Sequence, residues 1–369
     1  MRIKNPVRLL FLLSLISFPI LGFASDTQEA EGDDFNPNEL INEHVWDSHE
    51  FHIADWDGHP ITLSLPVVLW TNNGLTVFSS SRFHHDNEAE HVVEANGNEF
   101  VRYNEHIFYA DKFDKEKFEG LSTMQRPFQY DMRPLDFSIT KTVFSMIFSA
   151  ILILLLFGLS ARAYKGIKKA PKGLAAFIEP LIVFVRDDIA KPNVGPKYGK
   201  YLPFLLTLFF FIWINNIIGI IPFFPFSANL TGNIAFTFVL AFITFMVTIF
   251  SGSKHYWAHT FAPPVPKWLY PLMIPVEIIG MFTKPFALMV RLFANITAGH
   301  IIILSLVSLI FIFGSVAVSP ISIIFVLFMS VLELLVAALQ AYVFTLLAAL
   351  FIGQAVEEHH QGVEQKTTF

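Results

Sequence analysis

Two patterns of apolar and polar positions divide the chain. From residue 142 onward apolar residues run in long blocks at 142–160, 201–221, 234–250, 272–313 and 321–356. Blocks of that length with so few polar positions predict helices that cross a lipid bilayer. Upstream, apolar and polar residues occur in short runs, such as 61–70 and 75–80, punctuated by Asp57-Gly58, Asn73-Gly74 and Asn96-Gly97. These dipeptides favour tight hairpin turns whose central residues need positive φ, so this region predicts a small β-rich domain. The last two blocks, joined at 314–320, would make helices roughly 60 and 50 Å long, whereas the hydrocarbon layer is about 30 Å thick. They must tilt steeply or break. The expected fold class is an all-α polytopic membrane protein with five transmembrane helices, the last two a long tilted hairpin, plus a small exported β-rich N-terminal domain.

Composition sharpens this picture. The chain is 53% hydrophobic and 15% charged, with 41 Phe, and its charges are segregated. Between residues 201 and 356 the only acids and strong bases are Lys254, Lys267, Glu277, Lys284, Arg291 and Glu333. Residues 25–135 hold 22 acids against 7 bases, which disfavours nucleic-acid binding. Residues 1–24 carry Arg2, Lys4 and Arg8, then an apolar run, then Gly22-Phe23-Ala24, the layout of a secretory signal peptide. A retained first membrane helix is the alternative; in both cases the acidic 25–136 segment is exported. The bases Arg162, Lys165, Lys168, Lys169 and Lys172 follow the first block and belong on the cytoplasmic side, which gives the same orientation. The membrane channel domain is then 137–360, with 361–369 a cytoplasmic tail. Within it, 173–191 reads as an interfacial amphipathic helix with Glu179, Arg186, Asp187 and Asp188 on its polar side.

The absence of Cys excludes disulfides, thiol nucleophiles and cysteine metal sites. Eight of the 13 His lie in the exported segment, yet no HExxH spacing occurs, so scattered surface histidines are favoured over a metal site. No nucleophile constellation or Gly-rich phosphate loop points to an enzyme, and neither a catalytic residue nor a cofactor is expected.

The chemistry is concentrated in the final hairpin. Arg291 stands in an apolar helix, where a charge costs about 2.5 to 3.5 kcal/mol at the bilayer centre. It either pairs with Glu277 or Glu333 or snorkels to an interface as a structural residue, or serves a partner. Its own face favours the partner, because Ala287, Ala294, Asn295, Ala298 and Lys284 lie three, four or seven residues away and small residues let another helix approach. For a hairpin bent near residue 317, His300 and Glu333 are 17 and 16 residues from the bend, while Arg291 and Gln340 are 26 and 23 residues from it. His300 and Glu333 thus share one level toward the outer side, and Arg291 and Gln340 lie deeper. An imidazole titrates near neutrality, so a His and a carboxylate at one level make a proton relay, although a buried pair with no transport role fits the same positions. Arg291 cannot relay, since a guanidinium keeps its proton. Glu277 lies about 21 Å inward of Arg291 along the helix, at the inner mouth or at a solvated interface. Asn215 and Asn216, inside the 201–221 block, are of the kind that join helices through buried amides.

The run Lys284-Pro285-Phe286-Ala287-Leu288-Met289-Val290-Arg291-Leu292-Phe293-Ala294-Asn295, with Ala298-Gly299-His300, resembles the signature of subunit a of F-type ATP synthases. Glu333 with Leu339-Gln340-Ala341-Tyr342-Val343-Phe344, the terminal Glu357-Glu358-His359, and the stretch from Trp213-Ile214-Asn215-Asn216 to Pro222 resemble the same family. The resemblance covers about 170–360 and leaves out the leader and the β-rich domain. It implies a noncatalytic stator subunit of a bacterial inner membrane, conducting protons through two offset half-channels. Its implied partners are a rotor ring of small carboxylate-bearing hairpin subunits and a peripheral-stalk membrane subunit, all within the lipid bilayer. By the same resemblance Arg291 matches the essential arginine facing the ring, and Gln340 matches the residue near it. His300 and Glu333 fall where some relatives carry an acid and a histidine in the opposite arrangement. Asn295, Lys284 and Glu277 match further polar positions of the family. A self-contained secondary transporter or cation channel is the alternative function, but neither inverted repeats nor paired broken helices are visible to build its substrate site.

Overall fold

The computed structural model describes residues 47–56, 59–121, 130–164, 173–221, 228–263, 265–313 and 319–357. The leader, the Asp57-Gly58 turn, the bases from Lys165 to Lys172 and the tail lie outside the described residues. Two compact units are distinguished, one built around the N-terminal strands and one around the helices.

The first unit contains strands β1 (Glu50–Trp56), β2 (His59–Ser64), β3 (Pro66–Thr71), β4 (Gly74–Ser79), β5 (Val93–Ala95), β6 (Asn98–Tyr103), β7 (His106–Tyr109) and β8 (Leu135–Asp136), with a short helix α1 (Lys115–Gly120). They form three small antiparallel sheets, β1-β2, β4-β3-β8 and β5-β6-β7. The alternation read from the sequence appears directly in β3, where Val67, Leu69 and Thr71 are buried and Trp70 is exposed. At the β5–β6 turn both Asn96 and Gly97 have positive φ, as a two-residue hairpin turn requires. Asn104 and Glu105 do the same between β6 and β7 without a glycine. Val67, Leu69, Phe78, Phe83, Val93, Phe100 and Ile107 make the core. Arg102, 1% exposed, is held by the Glu50 carboxylate at 2.9 Å and the Asp86 carbonyl at 2.7 Å, so its buried charge is compensated.

The helices are α2 (Lys141–Ala163), α3 (Leu174–Phe184), α4 (Lys191–Val194), α5 (Tyr198–Ile220), α6 (Ile234–Phe250), α7 (Lys254–Phe261), α8 (Tyr270–Phe313) and α9 (Ser319–Val356). Four helical stretches, Lys141–Ala163, Leu174–Ile220, Lys267–Ile310 and Pro320–Val356, are long and apolar enough to cross a membrane; α6 and α7, bent by 102°, make a fifth if they count as one span. This is the make-up of a polytopic helical membrane protein. At 44 and 38 residues, α8 and α9 would measure about 66 and 57 Å, and α8 continues through Pro275 and Pro285 without breaking.

The segment 173–191, expected as an amphipathic helix, is helical with one apolar face buried, and it carries a π turn that the sequence did not indicate. α3 gives way to a π-helical stretch, Val185–Ala190, before α4. Ile178, Val185, Ile189 and Ala190 are buried in the helical core with residues of α5, α8 and α9. A π turn shifts the register by one residue, which lets this segment present apolar side chains to the core while Asp187 pairs with Arg186 and Lys191 at 2.8 and 2.6 Å. Packing against α9 is close because its facing residues are small: Ala341, Ala348 and Ala349 are fully buried. A Cβ on Gly353 would stand 1.9 Å from the Asn193 carbonyl oxygen, so only glycine fits there.

Candidate functional site

Helix α8 has two unlike faces around Arg291. Leu288, Met289, Leu292 and Ile296 are buried against the rest of the helical unit. Lys284, Ala287, Arg291, Ala294, Asn295 and Ala298 are exposed on the other side. These are helical neighbours at steps of three and four, so the guanidinium rises from a strip of small residues. Among the described residues Arg291 has no ion pair, and neither Glu277 nor Glu333 reaches it. The pairing with Glu277 or Glu333 is therefore absent among the described residues.

Nine residues separate His300 from Arg291, about two and a half turns, so the two side chains leave α8 on opposite faces. His300 turns toward α9, where its Nδ1 contacts the Glu333 Oε1. The pair is enclosed, with the imidazole 18% and the carboxylate 5% exposed. Gly299 makes room for it: a Cβ there would come 3.1 Å from Glu333 Oε1, closer than ordinary van der Waals contact. Gly299→Ala should displace the carboxylate by a few tenths of an ångström, and Gly299→Val should evict it. Any activity that depends on this pair is expected to fall several-fold in the first variant and further in the second, with the protein accumulating normally. Full activity in both would show that the placement of Glu333 does not matter.

The other polar positions are distributed along the helices. Asn216 donates to the Ala337 carbonyl of α9 at 3.1 Å and accepts from the Thr231 hydroxyl at 2.7 Å, so it joins α5, α9 and the turn before α6. Asn215 donates to Phe211 of its own helix at 2.7 Å. Gln340 is 4% exposed on α9, and no hydrogen bond joins it to Arg291 among the described residues. Asn295 is exposed beside Arg291. Lys284 donates to Gln354 of α9 at 2.9 Å and lies over the Phe351 ring. Glu277 is half-buried and within electrostatic reach of Tyr256 on α7. A water-sized space of about 20 Å³ is bounded by Thr244, Thr248, Tyr256, Lys284 and Leu288. Thr231, Tyr256 and Gln354 were not singled out from the sequence. Gln354 was the most legible of them, an amide two residues before the end of an apolar helix, whereas nothing local marks the other two.

Comparison with known proteins gives the same assignment. Residues 143–353 match the family described as ATP synthase A chain, and residues 40–137 match a family described only as a domain of unknown function. The chain is 46% identical over 265 residues to ATP synthase subunit a of Chloroherpeton thalassium, covering 70% of this chain and 78% of that protein. It is 45% identical to ATP synthase subunit a 2 of Chlorobaculum tepidum, covering 68% and 73%, and 44% identical to ATP synthase subunit a of Myxococcus xanthus, covering 61% and 75%. With an arginine on a strip of small residues, an enclosed His–Glu contact, a family match over most of the helical region and relatives this similar, the chain belongs to the ATP synthase A chain family, the noncatalytic proton-translocating stator subunits of F-type ATP synthase.

Proposed function

We propose that this chain supplies two offset half-channels, that protons enter by way of His300 and Glu333, and that Arg291 faces the carboxylates of a rotor ring. The observation that carries the reading is the division of α8 into an enclosed proton-binding pair on one face and an exposed guanidinium on the other. An uncovered charge in a membrane helix needs a compensating partner, and the flanking alanines leave room for a closely packed helix that bears an anion. Arg291 holds each arriving carboxylate ionised and repels protons that would cross directly between the half-channels. Thr244, Thr248, Tyr256 and Lys284, with Glu277 nearby, bound the inner path. Asn295 and Gln340 flank the arginine level, and Asn216 holds α5 in place beside it, whereas Asn215 bonds within α5 itself. A peripheral-stalk membrane subunit completes the stator.

Disulfide trapping tests this reading. With a cysteine placed near the ring carboxylate, Ala294→Cys and Ala287→Cys should cross-link to the ring under mild oxidant, and Leu292→Cys, on the buried face, should not. Cross-linking only from position 292 would remove the proposal. The orientation, with the N-terminal domain outside and the C-terminus in the cytoplasm, requires Ser81→Cys and Gly362→Cys to label from opposite sides of sealed vesicles. Labelling of both from one side would reject it.

A further inference from the structure

Hydroxyl side chains in the apolar helices of this chain mostly bond their own backbone. Thr283 and Ser308 of α8 donate to the Ile279 and Leu304 carbonyls at 2.8 and 2.9 Å, and Thr244 and Thr248 of α6 donate to the Leu240 and Thr244 carbonyls at 3.0 and 2.9 Å. Such a back-bond is how a helical threonine satisfies itself without a neighbour. Thr297 of α8 departs from this. Its Oγ1 is buried, yet it donates to neither the Phe293 nor the Ala294 carbonyl behind it and has no hydrogen-bond partner among the described residues. Ser145, Ser160 and Thr345 share that state, but the first two belong to α2 and the third is about three turns from Glu333 along α9. A buried hydroxyl left without a partner is costly, so its persistence calls for a reason.

The place of Thr297 on α8 supplies one. It precedes His300 by three residues, so the two side chains are neighbours on the helix surface, with Cβ atoms about 5 to 6 Å apart. At about 100° per residue, Arg291 and His300 point about 180° apart, and Thr297 lies about 60° from His300 and about 120° from Arg291. Along the axis it is about 4.5 Å from the level of His300 and about 9 Å from that of Arg291, between the two. The sector of α8 that runs from His300 past Thr297 to Ala294 otherwise holds Phe293, Val290 and Ile301, so Thr297 is its one polar side chain. The far edge of that sector is the exposed strip of Ala294, Ala298 and Arg291. The opposite way round α8 is filled by Leu288, Leu292 and Ile296, all buried. Thr297 thus stands between the enclosed pair and the open strip, both in height and in bearing.

We propose that Thr297 is a proton-relay residue that carries protons from the His300–Glu333 pair round α8 to the strip where the rotor carboxylate is met. A hydroxyl both donates and accepts. As its oxygen takes a proton handed on from the imidazole, directly or through one water, its own hydroxyl proton passes to the next acceptor toward the strip, the rotor carboxylate or a water before it. One O–H bond forms as the other breaks, so the side chain ends unchanged, and rotation of the hydroxyl resets it. A bond to its own backbone would hold that proton and block the rotation, which accounts for the unpartnered Oγ1. The proposal rests on the reading that protons enter by way of His300 and Glu333.

The whole ATP synthase in proteoliposomes, driven by an acid–base jump, tests it, with rates taken per assembled complex. Thr297→Ser keeps the hydroxyl and should stay within about twofold of the wild type. Thr297→Val keeps the shape of the side chain without the hydroxyl and should slow synthesis about tenfold. Thr297→Ala opens a space that a water can enter, so it should be slowed less than the valine variant. A packing role predicts the reverse order, because valine fills the site and alanine leaves a cavity. Synthesis in the valine variant as fast as in the alanine variant, or in the serine variant as slow as in the valine variant, would overturn the proposal. His300→Ala in the same assay separates the two readings. Its loss of synthesis beside an unimpaired Thr297→Val would defeat the relay at Thr297 alone, and full synthesis in His300→Ala would defeat the entry path and this proposal with it.

Discussion

Replacing Arg291 by lysine is expected to abolish proton-driven ATP synthesis while leaving the complex assembled. The charge survives in this variant, and the exposed alanines around it leave ample space. If the arginine only supported folding, the variant would work. A guanidinium, however, offers a planar fork to a carboxylate and keeps its proton when desolvated, whereas an ammonium offers neither property. A loss of at least about a hundredfold in synthesis rate, equivalent to about 2.7 kcal/mol, is expected in inverted vesicles. Arg291→Ala removes the barrier as well, so it should also let protons leak passively through the membrane sector. The exposure of Arg291 strengthens the expectation of normal assembly, because among the described residues its side chain makes no hydrogen bond or ion pair that the substitution would break. Synthesis at wild-type rate in the lysine variant would show that the arginine is structural.

The second large effect concerns His300 and Glu333, which touch across α8 and α9. Replacing either with a nonionisable residue should slow proton flux about tenfold or more and leave the other polar group enclosed without its partner. The exchanged pair, Glu at 300 and His at 333, restores one imidazole and one carboxylate in the same enclosure. It should retain more activity than the two single exchanges together imply, with a coupling of at least about 1 kcal/mol in a double-mutant cycle. Strictly additive losses would show two independent side chains rather than one relay.

The sequence by itself determined where the helices run. The five apolar blocks lie on α2, α5, α6, α8 and α9 to within about three residues at each end. A bilayer span must satisfy its backbone within one segment, so length and apolarity alone specify it. It also determined that residues 300 and 333 share a level, because a short connection between two antiparallel helices fixes how far along each helix a pair must sit. The β5–β6 turn was legible because Asn-Gly suits positive φ, while the equivalent turn at Asn104 and Glu105 carries no such mark and is imposed by the pairing of β6 with β7.

The tertiary structure decided how each helix is rotated about its own axis. Periodicity in an all-apolar helix is weak, since lipid and protein core accept the same side chains, so nothing local says which face meets a neighbour. For that reason only packing separates Arg291 on the open strip from Leu292 in the core. The same holds where contacts join distant parts of the chain, as in Asp47 capping α2, Asn216 bridging to Ala337 and Gly353 lying against Asn193. It also explains why the charges of 173–191 mark an amphipathic helix but not its π turn: the pull of its buried apolar face toward α5 and α9 depends on partners that local sequence does not specify.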